Sequence, residues 1–419
     1  MKRKLKGILR LFLKLCAIRL LNKFRPDIIA ITGSIGKTSA KDAIYEVLSS
    51  KFNTRKNEGN FNNEIGVPLT IIGADSAKNI FDIIRKTYFS KNHPEKLVLE
   101  MGADRFGDLK YLTSFAKPKI AVVTRVACSH LEFFCDLEGV AKEKGTLVES
   151  LDKNGWAVLN YDDKRVRAMV KRIPRFTSGQ ASANVLTYGI EKGSDVLASK
   201  IKTTKDGLSF EIGYKKEKEN IALPVFGKHH IYSILAAVCC GLIYNISLRE
   251  IINNLKGYKS PKGRMNLIKG INQSLIVDDT YNANPESMVN AIETISEIKE
   301  FKKIFVLGDM LELGSDSCKK HQEVISKIFA EKYDKIYLVG EKMLEAYKLI
   351  GNKNNKNIKL FTNSLDAALD LKNNLNKNEM VLVKGSQGMR MEKLVEVIMA
   401  EPEMAEKLLC RQSEEWKKK

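Results

Sequence analysis

Lys37 and Thr38, preceded by Gly33 and Gly36 in the run ITGSIGKTSAKD (residues 31–42), are the residues of this sequence best suited to gripping a polyphosphate. Glycines let backbone N–H groups approach phosphate oxygens, and the N-terminus of a following helix adds positive potential. A lysine amine placed there reaches the β- and γ-phosphates, and the adjacent hydroxyl is a hard ligand for Mg2+. Gly33, Ser34, Ile35, Gly36, Lys37, Thr38 and Ser39 are therefore expected to bind the phosphates of a nucleotide. The common spacing G-x-x-x-x-G-K-[ST] would put a glycine where Ile31 stands, and the alternative is a plain glycine turn before a helix.

The flanking elements suit a phosphate loop. DIIAITGS reads as a short buried strand and GKTSAKDAIYEVLSS as a helix, which is the strand–loop–helix setting such a loop requires. KLVLEMGA, IAVVTRVA and GWAVLN continue as apolar strands between helical segments, an α/β pattern with a mostly parallel sheet. From about 187 to 226 the runs LTYGI, VLASKIKTT and LSFEIGY are short, alternating and bounded by glycine, and are expected to form an antiparallel edge. GYKSPKG (257–263) marks a domain boundary, and SLIVDDTY, KIFVLGDM, KIYLVG and EMVLVKGS beyond it predict a second α/β sheet. The expected organisation is a leader over 1–26, a central domain over 27–260 and a C-terminal domain over 261–419.

Nine further stretches make the loop more specific. They are NEGNFNNEIGVPLTI (57–71), LEMGA (99–103), SHLEFF (129–134), VLNYDD (158–163), GKHHIYSILAA (227–237), KGRM (262–265), DDTYNANPESM (278–288), VLGDMLELG (306–314) and VKGSQGMRME (383–392). With the shortened loop T-G-x-x-G-K-[ST], their order resembles the Mur ligases and their folylpolyglutamate synthetase relatives. The last three are most similar to the MurF branch. The resemblance runs over roughly residues 27–400 and removes the difficulty at Ile31, because this family's loop begins at Thr32-Gly33.

The resemblance implies a P-loop ATPase-like central domain, a Rossmann-like C-terminal domain and ATP-dependent amide formation. A carboxylate takes the γ-phosphate of ATP to become an acyl phosphate, and an amine then displaces phosphate. In the MurF branch the reactants are UDP-MurNAc-tripeptide and D-Ala-D-Ala, and the setting is peptidoglycan synthesis in the cytoplasm. Carried over residue by residue, the catalytic set is Lys37, His130, Lys144 and Arg264. Thr38, Glu100, His130 and Lys144 would serve two Mg2+ ions, with Lys144 carbamylated to an anion. Arg264 would close onto the phosphates, and Asp279 would contact the ATP ribose. Asn60, Asn62 and Asn63 would face the carboxylate substrate, Asp309, Glu312, Lys384 and Ser386 would line the amine pocket, and Tyr281, Asn282 and Asn284, which belong to the MurF version of their loop, would also bind substrate. For each of these the plain alternative is turn structure, since Asn, Asp and Gly are turn formers anyway.

Several positions depart from the family. Only 26 residues precede the loop, where relatives carry a whole domain for UDP. This keeps open a Mur-like ligase acting on a different or lipid-linked carboxylate, and a membrane-tethered nucleotide-binding scaffold without ligase activity. His230 and Ser233 stand where asparagines that place adenine are usual, Arg125 where Asn is common, Gln387 where Arg is common and Thr146 where Glu is frequent. Lys37, Glu100, His130, Lys144 and Arg264 are all retained, so an active ligase is expected.

The formal net charge of +20 favours anionic partners, but the lysines are scattered and no nucleic-acid motif accompanies them, so a nucleic-acid partner is not expected. Seven cysteines without a C-x-x-C pair argue for free thiols in a reducing cytoplasm and against a zinc ribbon, with Cys239 and Cys240 buried. A monomer is expected. The leader carries nine Lys or Arg and no acid, with Lys2, Lys6, Arg10 and Lys14 on one helical face and Leu5, Ile8, Leu9, Phe12 and Leu13 opposite. Charges interrupt every apolar run, so it cannot span a bilayer. It reads as a basic amphipathic helix for an anionic membrane surface over residues 1–25, the alternative being a helix docked on its own protein.

Overall fold

Apolar runs too short for helices become the centres of two parallel sheets in the computed structural model, which describes residues 2–59, 61–74, 79–127, 131–174, 183–204, 206–351 and 355–417. The chain divides into two compact units. The first comprises Met1–Ile201, Phe210–Ile221 and His229–Tyr258, and the second Lys202–Ser209, Ala222–Lys228 and Lys259–Lys419.

The first sheet contains β1 (Asp27–Thr32), β2 (Thr54–Lys56), β3 (Lys96–Glu100), β4 (Ile120–Val123), β5 (Trp156–Asn160), β6 (Asn184–Gly189), β7 (Val196–Thr204), β8 (Gly207–Tyr214) and β9 (Glu217–Leu223). Their spatial order is β2-β3-β1-β4-β5-β6-β7-β8-β9. Every pair from β2 to β7 is parallel. β1, β3 and β4 are buried on both faces, which is why they read as unbroken apolar runs. The register pairs Ile31 with Glu100 and Thr32 with Val123, so the three central strands end side by side. In open α/β sheets this carboxyl edge is where ligands bind.

One strand differs from expectation. Leu186–Gly189, assigned from its alternation to the antiparallel edge, instead pairs parallel with β5, Leu186 against Val158 and Tyr188 against Asn160. Tyr188 is fully buried and its hydroxyl reaches the Val123 carbonyl, so this alternating run is held inside the sheet. The antiparallel character begins later: only Lys215 and Lys216 join β8 to β9, a connection only antiparallel strands can use.

The second unit contains β10 (Asn266–Lys269), β11 (Leu275–Asp279), β12 (Lys302–Gly308), β13 (Lys335–Val339), β14 (Ile358–Phe361) and β15 (Glu379–Lys384), in the order β10-β11-β15-β12-β13-β14. All pairs are parallel except β10 with β11. Separate cores cover its two faces, one around Met288, Ile292 and Ile325, the other around Ala368, Leu394 and Ile398. That is the layered arrangement expected of a Rossmann-like domain.

The leader is a helix, α1 (Lys2–Phe24). Its apolar residues divide between two faces. Leu13, Cys16 and Leu20 are buried with Ile72, Ala74 and Ile83, while Ile8, Leu11 and Leu15 are exposed. Of the apolar face expected for a membrane surface, Leu13 is docked on the protein with Phe12 packed beside it, while Ile8 and Leu9 are exposed. Among the described residues no helix is long and apolar enough to cross a membrane.

Candidate functional site

The phosphate loop links β1 to α2 (Lys37–Ser49) and is held from beneath by the segment that leaves β4. Thr124 Oγ1 donates to the Ile35 carbonyl at 2.6 Å, Ser34 N donates to the Arg125 carbonyl at 2.6 Å, and Ser34 Oγ reaches the Ala127 carbonyl at 3.0 Å. Gly33 has φ +145°, and a Cβ there would lie 2.0 Å from Thr124 Oγ1, so this position admits only glycine. Gly36, at φ +85°, precedes the first turn of α2 and leaves that turn's N–H groups without a side-chain cap. Those amides are the donors an anion needs. Lys37 Nζ lies 2.8 Å from the Gly33 carbonyl, folded back along its own loop.

Glu100 ends β3 directly beneath this loop and is 4% exposed. Thr38 donates to its Oε2 at 2.9 Å and Asn62 to its Oε1 at 3.0 Å. The Asn57 side chain donates to the Glu100 carbonyl and accepts from Glu100 N, and Lys41 reaches the Asn57 carbonyl at 2.8 Å. Burial pushes the Glu100 carboxyl upward, but the charges of Lys37 and Lys41 and the bonds from Asn62 and Thr38 outweigh it. The net shift is downward, so Glu100 is an anion at neutral pH. A hydroxyl and an ionised carboxylate 2.9 Å apart are hard oxygen donors of the kind Mg2+ takes. Among the described residues no group of three or more His, Cys, Asp or Glu side chains gathers to hold a metal.

Lys144 lies in the helix Leu137–Glu149 and is 2% exposed. Its Nζ donates to the Ala103 carbonyl at 3.2 Å, three residues past Glu100. Burial and the charge of Lys37 lower its pKa to about 7. An amine near half neutral at physiological pH is a nucleophile, unlike an ordinary surface lysine. Its neighbour Glu143 accepts the backbone N–H groups of Gly107 and Leu109, tying this helix to the loop after β3.

Of the remaining first-unit expectations, His130 and Asn60 lie outside the described residues. Asn63 caps the start of α3 (Gly66–Ile72), accepting from Ile65 N and Gly66 N, while Asn62 alone of this pair faces the acid. Ser39 is buried on α2. His230 is fully buried with Nδ1 3.0 Å from the Tyr258 hydroxyl, inside the packing of its helix.

The second unit gathers its own polar cluster at the carboxyl ends of β11 and β15. Asp279 and Lys384 face each other across the register and pair at 2.7 Å, both largely buried. Burial lowers the Lys384 pKa although Asp279 opposes this. Lys384 also donates to the Asn282 carbonyl, and Ser386 Oγ links Leu311 N with the Ala283 carbonyl. Arg264 stands over the Tyr281 ring at 4.1 Å. Asn282 and Glu312 are exposed, and Glu312 holds φ +62°. Two expected substrate contacts have structural partners. The Asp309 carboxylate is 5% exposed and accepts Met343 N and Lys342 N, while Asn284 caps the helix Pro285–Glu297 in a capping box with Ser287.

The residues that hold these side chains were not singled out from the sequence. Thr124, Asn57, Lys41 and Glu143 act through backbone groups distant in sequence, and only their presence beside the quoted motifs hinted at them. The same holds for Arg411. It donates to the Thr280 and Tyr281 carbonyls and to Glu392, which also accepts from Arg390. This network fixes the loop that follows β11, a strand that carries Asp278, a fully buried acid whose pKa burial raises to about 6.

Comparison with known proteins identifies the family and the fold. Residues 31–241 match the Mur ligase middle domain, and residues 263–387 match the Mur ligase, glutamate ligase domain. The UDP-N-acetylmuramoyl-tripeptide–D-alanyl-D-alanine ligase of Bacillus subtilis is 30% identical over 379 residues, covering 90% of this chain and 76% of the relative. The enzyme of the same name from Buchnera aphidicola subsp. Baizongia pistaciae is 32% identical over 376 residues, covering 89% and 75%. The crystal structure of MurF ligase from Thermotoga maritima in complex with ADP superposes with a TM-score of 0.78 at 28% identity, covering 95% of this chain and 84% of that one.

Proposed function

The chain belongs to the Mur ligase family, and on that premise we propose that it joins D-Ala-D-Ala to UDP-MurNAc-tripeptide at the expense of ATP, a step of peptidoglycan precursor synthesis. The observation that carries this reading is local to the first unit. The phosphate loop, the ionised Glu100 and the buried, low-pKa Lys144 converge at the carboxyl edge of one sheet.

The first step brings two anions together, so the residues must offset repulsion and hold the reactants in line. The loop amides and the α2 N-terminus would grip the β- and γ-phosphates, and Lys37 would swing from the Gly33 carbonyl onto them. The substrate carboxylate oxygen bonds to the γ-phosphorus as the bond to the bridging oxygen breaks and ADP leaves. The amine of D-Ala-D-Ala then attacks the acyl carbon, loses a proton, and phosphate departs with the C–O electron pair. Mg2+ at Thr38 and Glu100 would supply positive charge to the phosphate oxygens.

Lys144 we assign to carbamylation and to a second ion, a role supported by its half-neutral amine and its approach to the loop after Glu100. His130 belongs to the same assignment through its motif. Arg264 and Asp279 are proposed for the nucleotide, and Asn60, Asn62 and Asn63 for the carboxylate substrate. Tyr281, Asn282, Glu312, Lys384 and Ser386 are proposed for the amine substrate, with Asp309 and Asn284 shaping that pocket through the helices they cap. A cytoplasmic monomer touching the inner membrane surface through residues 1–25 completes the proposal, supported by the exposed Ile8, Leu11 and Leu15 and the nine basic residues of the leader.

The test is phosphate release by the purified chain with ATP and Mg2+. Release should require both UDP-MurNAc-tripeptide and D-Ala-D-Ala, and Lys37→Ala should lower it at least a hundredfold. Release with only a lipid-linked acceptor would favour the different-substrate reading. No release with either would overturn ligation.

A further inference from the structure

We propose that α4 (Ile80–Phe89) and α1 form one composite surface that docks on an anionic phospholipid membrane, which deepens and rests on the membrane reading given above for residues 1–25. Sixteen large apolar side chains are exposed among the described residues, and eight of them lie on these two helices: Ile8, Leu9, Leu11, Leu15, Ile80, Phe81, Tyr88 and Phe89. Scattered apolar exposure is ordinary on a protein surface, but concentration on two neighbouring helices marks an interaction site.

The geometry makes the two faces continuous. On α1, Ile8, Leu11 and Leu15 recur at helical spacing, on the side away from the docked Leu13, Ala17 and Leu20. Arg19 continues this stripe one turn on, and its guanidinium stands over the Tyr88 ring of α4 at 4.5 Å. Lys23 then reaches the Ser90 carbonyl at the end of α4. On α4, Phe81, Arg85, Tyr88 and Phe89 share the exposed face, while Ile83 and Thr87 turn inward. Phe81 is 76% and Phe89 75% exposed. Folding alone does not account for aromatic rings held so far out.

The surrounding charge names the occupant. α1 supplies Lys6, Arg10, Lys14, Arg19 and Lys23 and no acid, and α4 adds Arg85 and Lys86 against the single Asp82. Lys6 pairs with Glu64, Arg10 and Lys14 stand over the Tyr111 ring, and Lys23 and Lys86 reach the Ser90 and Gly73 carbonyls, while Arg19 and Arg85 are exposed on the same side as the apolar residues. Aromatic and aliphatic side chains that enter the headgroup boundary, ringed by cations, suit an anionic bilayer surface. A protein groove would be met by a surface with fewer basic residues at its centre.

Co-sedimentation of the full chain with phosphatidylglycerol-containing vesicles, and with phosphatidylcholine vesicles as the neutral control, tests this. The chain should bind the anionic vesicles, weaken with added salt and leave the neutral ones. Phe81→Ser with Phe89→Ser should lower partitioning at least tenfold and leave phosphate release with soluble substrates unchanged. Ile8→Ser with Leu11→Ser and Leu15→Ser should do the same. If the α1 variant loses binding while the α4 variant keeps it, the composite surface is overturned and the α1 reading stands. If the unaltered chain binds neither vesicle, both are overturned. If light scattering finds a dimer that the α4 substitutions dissolve, the occupant is a second copy and the proposal is wrong.

Discussion

Lys144 is the residue at which the chemistry is most exposed to test. Carbamate formation consumes the neutral amine, and a pKa near 7 makes that form abundant at physiological pH. Because the folded pKa is depressed, the neutral fraction is small below about pH 6 and grows through pH 7. Bicarbonate should therefore stimulate phosphate release strongly at pH 8 and weakly at pH 6, and Lys144→Arg should remove both the stimulation and at least a hundredfold of the rate. A flat response to bicarbonate across that range would remove the carbamate from the account. Gly33 gives a second prediction at this scale. Its φ of +145° and the 2.0 Å approach to Thr124 mean that Gly33→Ala must move the loop. A cost of about 1–3 kcal/mol in stability is expected, with ATP affinity reduced at least tenfold, read by thermal unfolding and calorimetric titration.

Elements explain why parts of the molecule were legible from residues and others were not. β1, β3 and β4 are buried on both faces, so their apolar runs announced a parallel sheet, and the glycines that follow β1 announced the loop. β6 alternates, yet both its edges are paired inside the sheet, and alternation carried no information about the direction of its partners. α1 was legible as a helix, but which apolar residues dock depended on Ile72, Ala74 and Ile83, which no periodicity in the leader encodes. The segment carrying Arg411 was invisible for the same reason, since its partners are carbonyls more than a hundred residues away. Arg411 nonetheless holds the Thr280–Tyr281 turn, and its side chain is 5% exposed beside a Glu392 that is 1% exposed. Arg411→Ala leaves that carboxylate short of a buried partner. Urea denaturation should show a loss of about 3 kcal/mol, and Arg411→Lys, which cannot serve both carbonyls and the carboxylate, should recover only part.

At the scale of the whole molecule, ordered motifs carried the functional reading further than any single residue did. Glu100 alone looks like a strand-end acid; beneath the loop, bonded to Thr38 and Asn62, it is a buried anion beside a phosphate grip. Asp309 shows the reverse, a motif residue whose carboxylate caps a helix. The central claim is that the substrate carboxylate itself is phosphorylated before the amine arrives. UDP-MurNAc-tripeptide labelled with 18O in its reacting carboxylate, incubated with ATP, Mg2+, D-Ala-D-Ala and this chain, tests it by mass spectrometry of both products. Each phosphate released should carry one 18O, and the new amide should retain one. Amide product accompanied by unlabelled phosphate would contradict it.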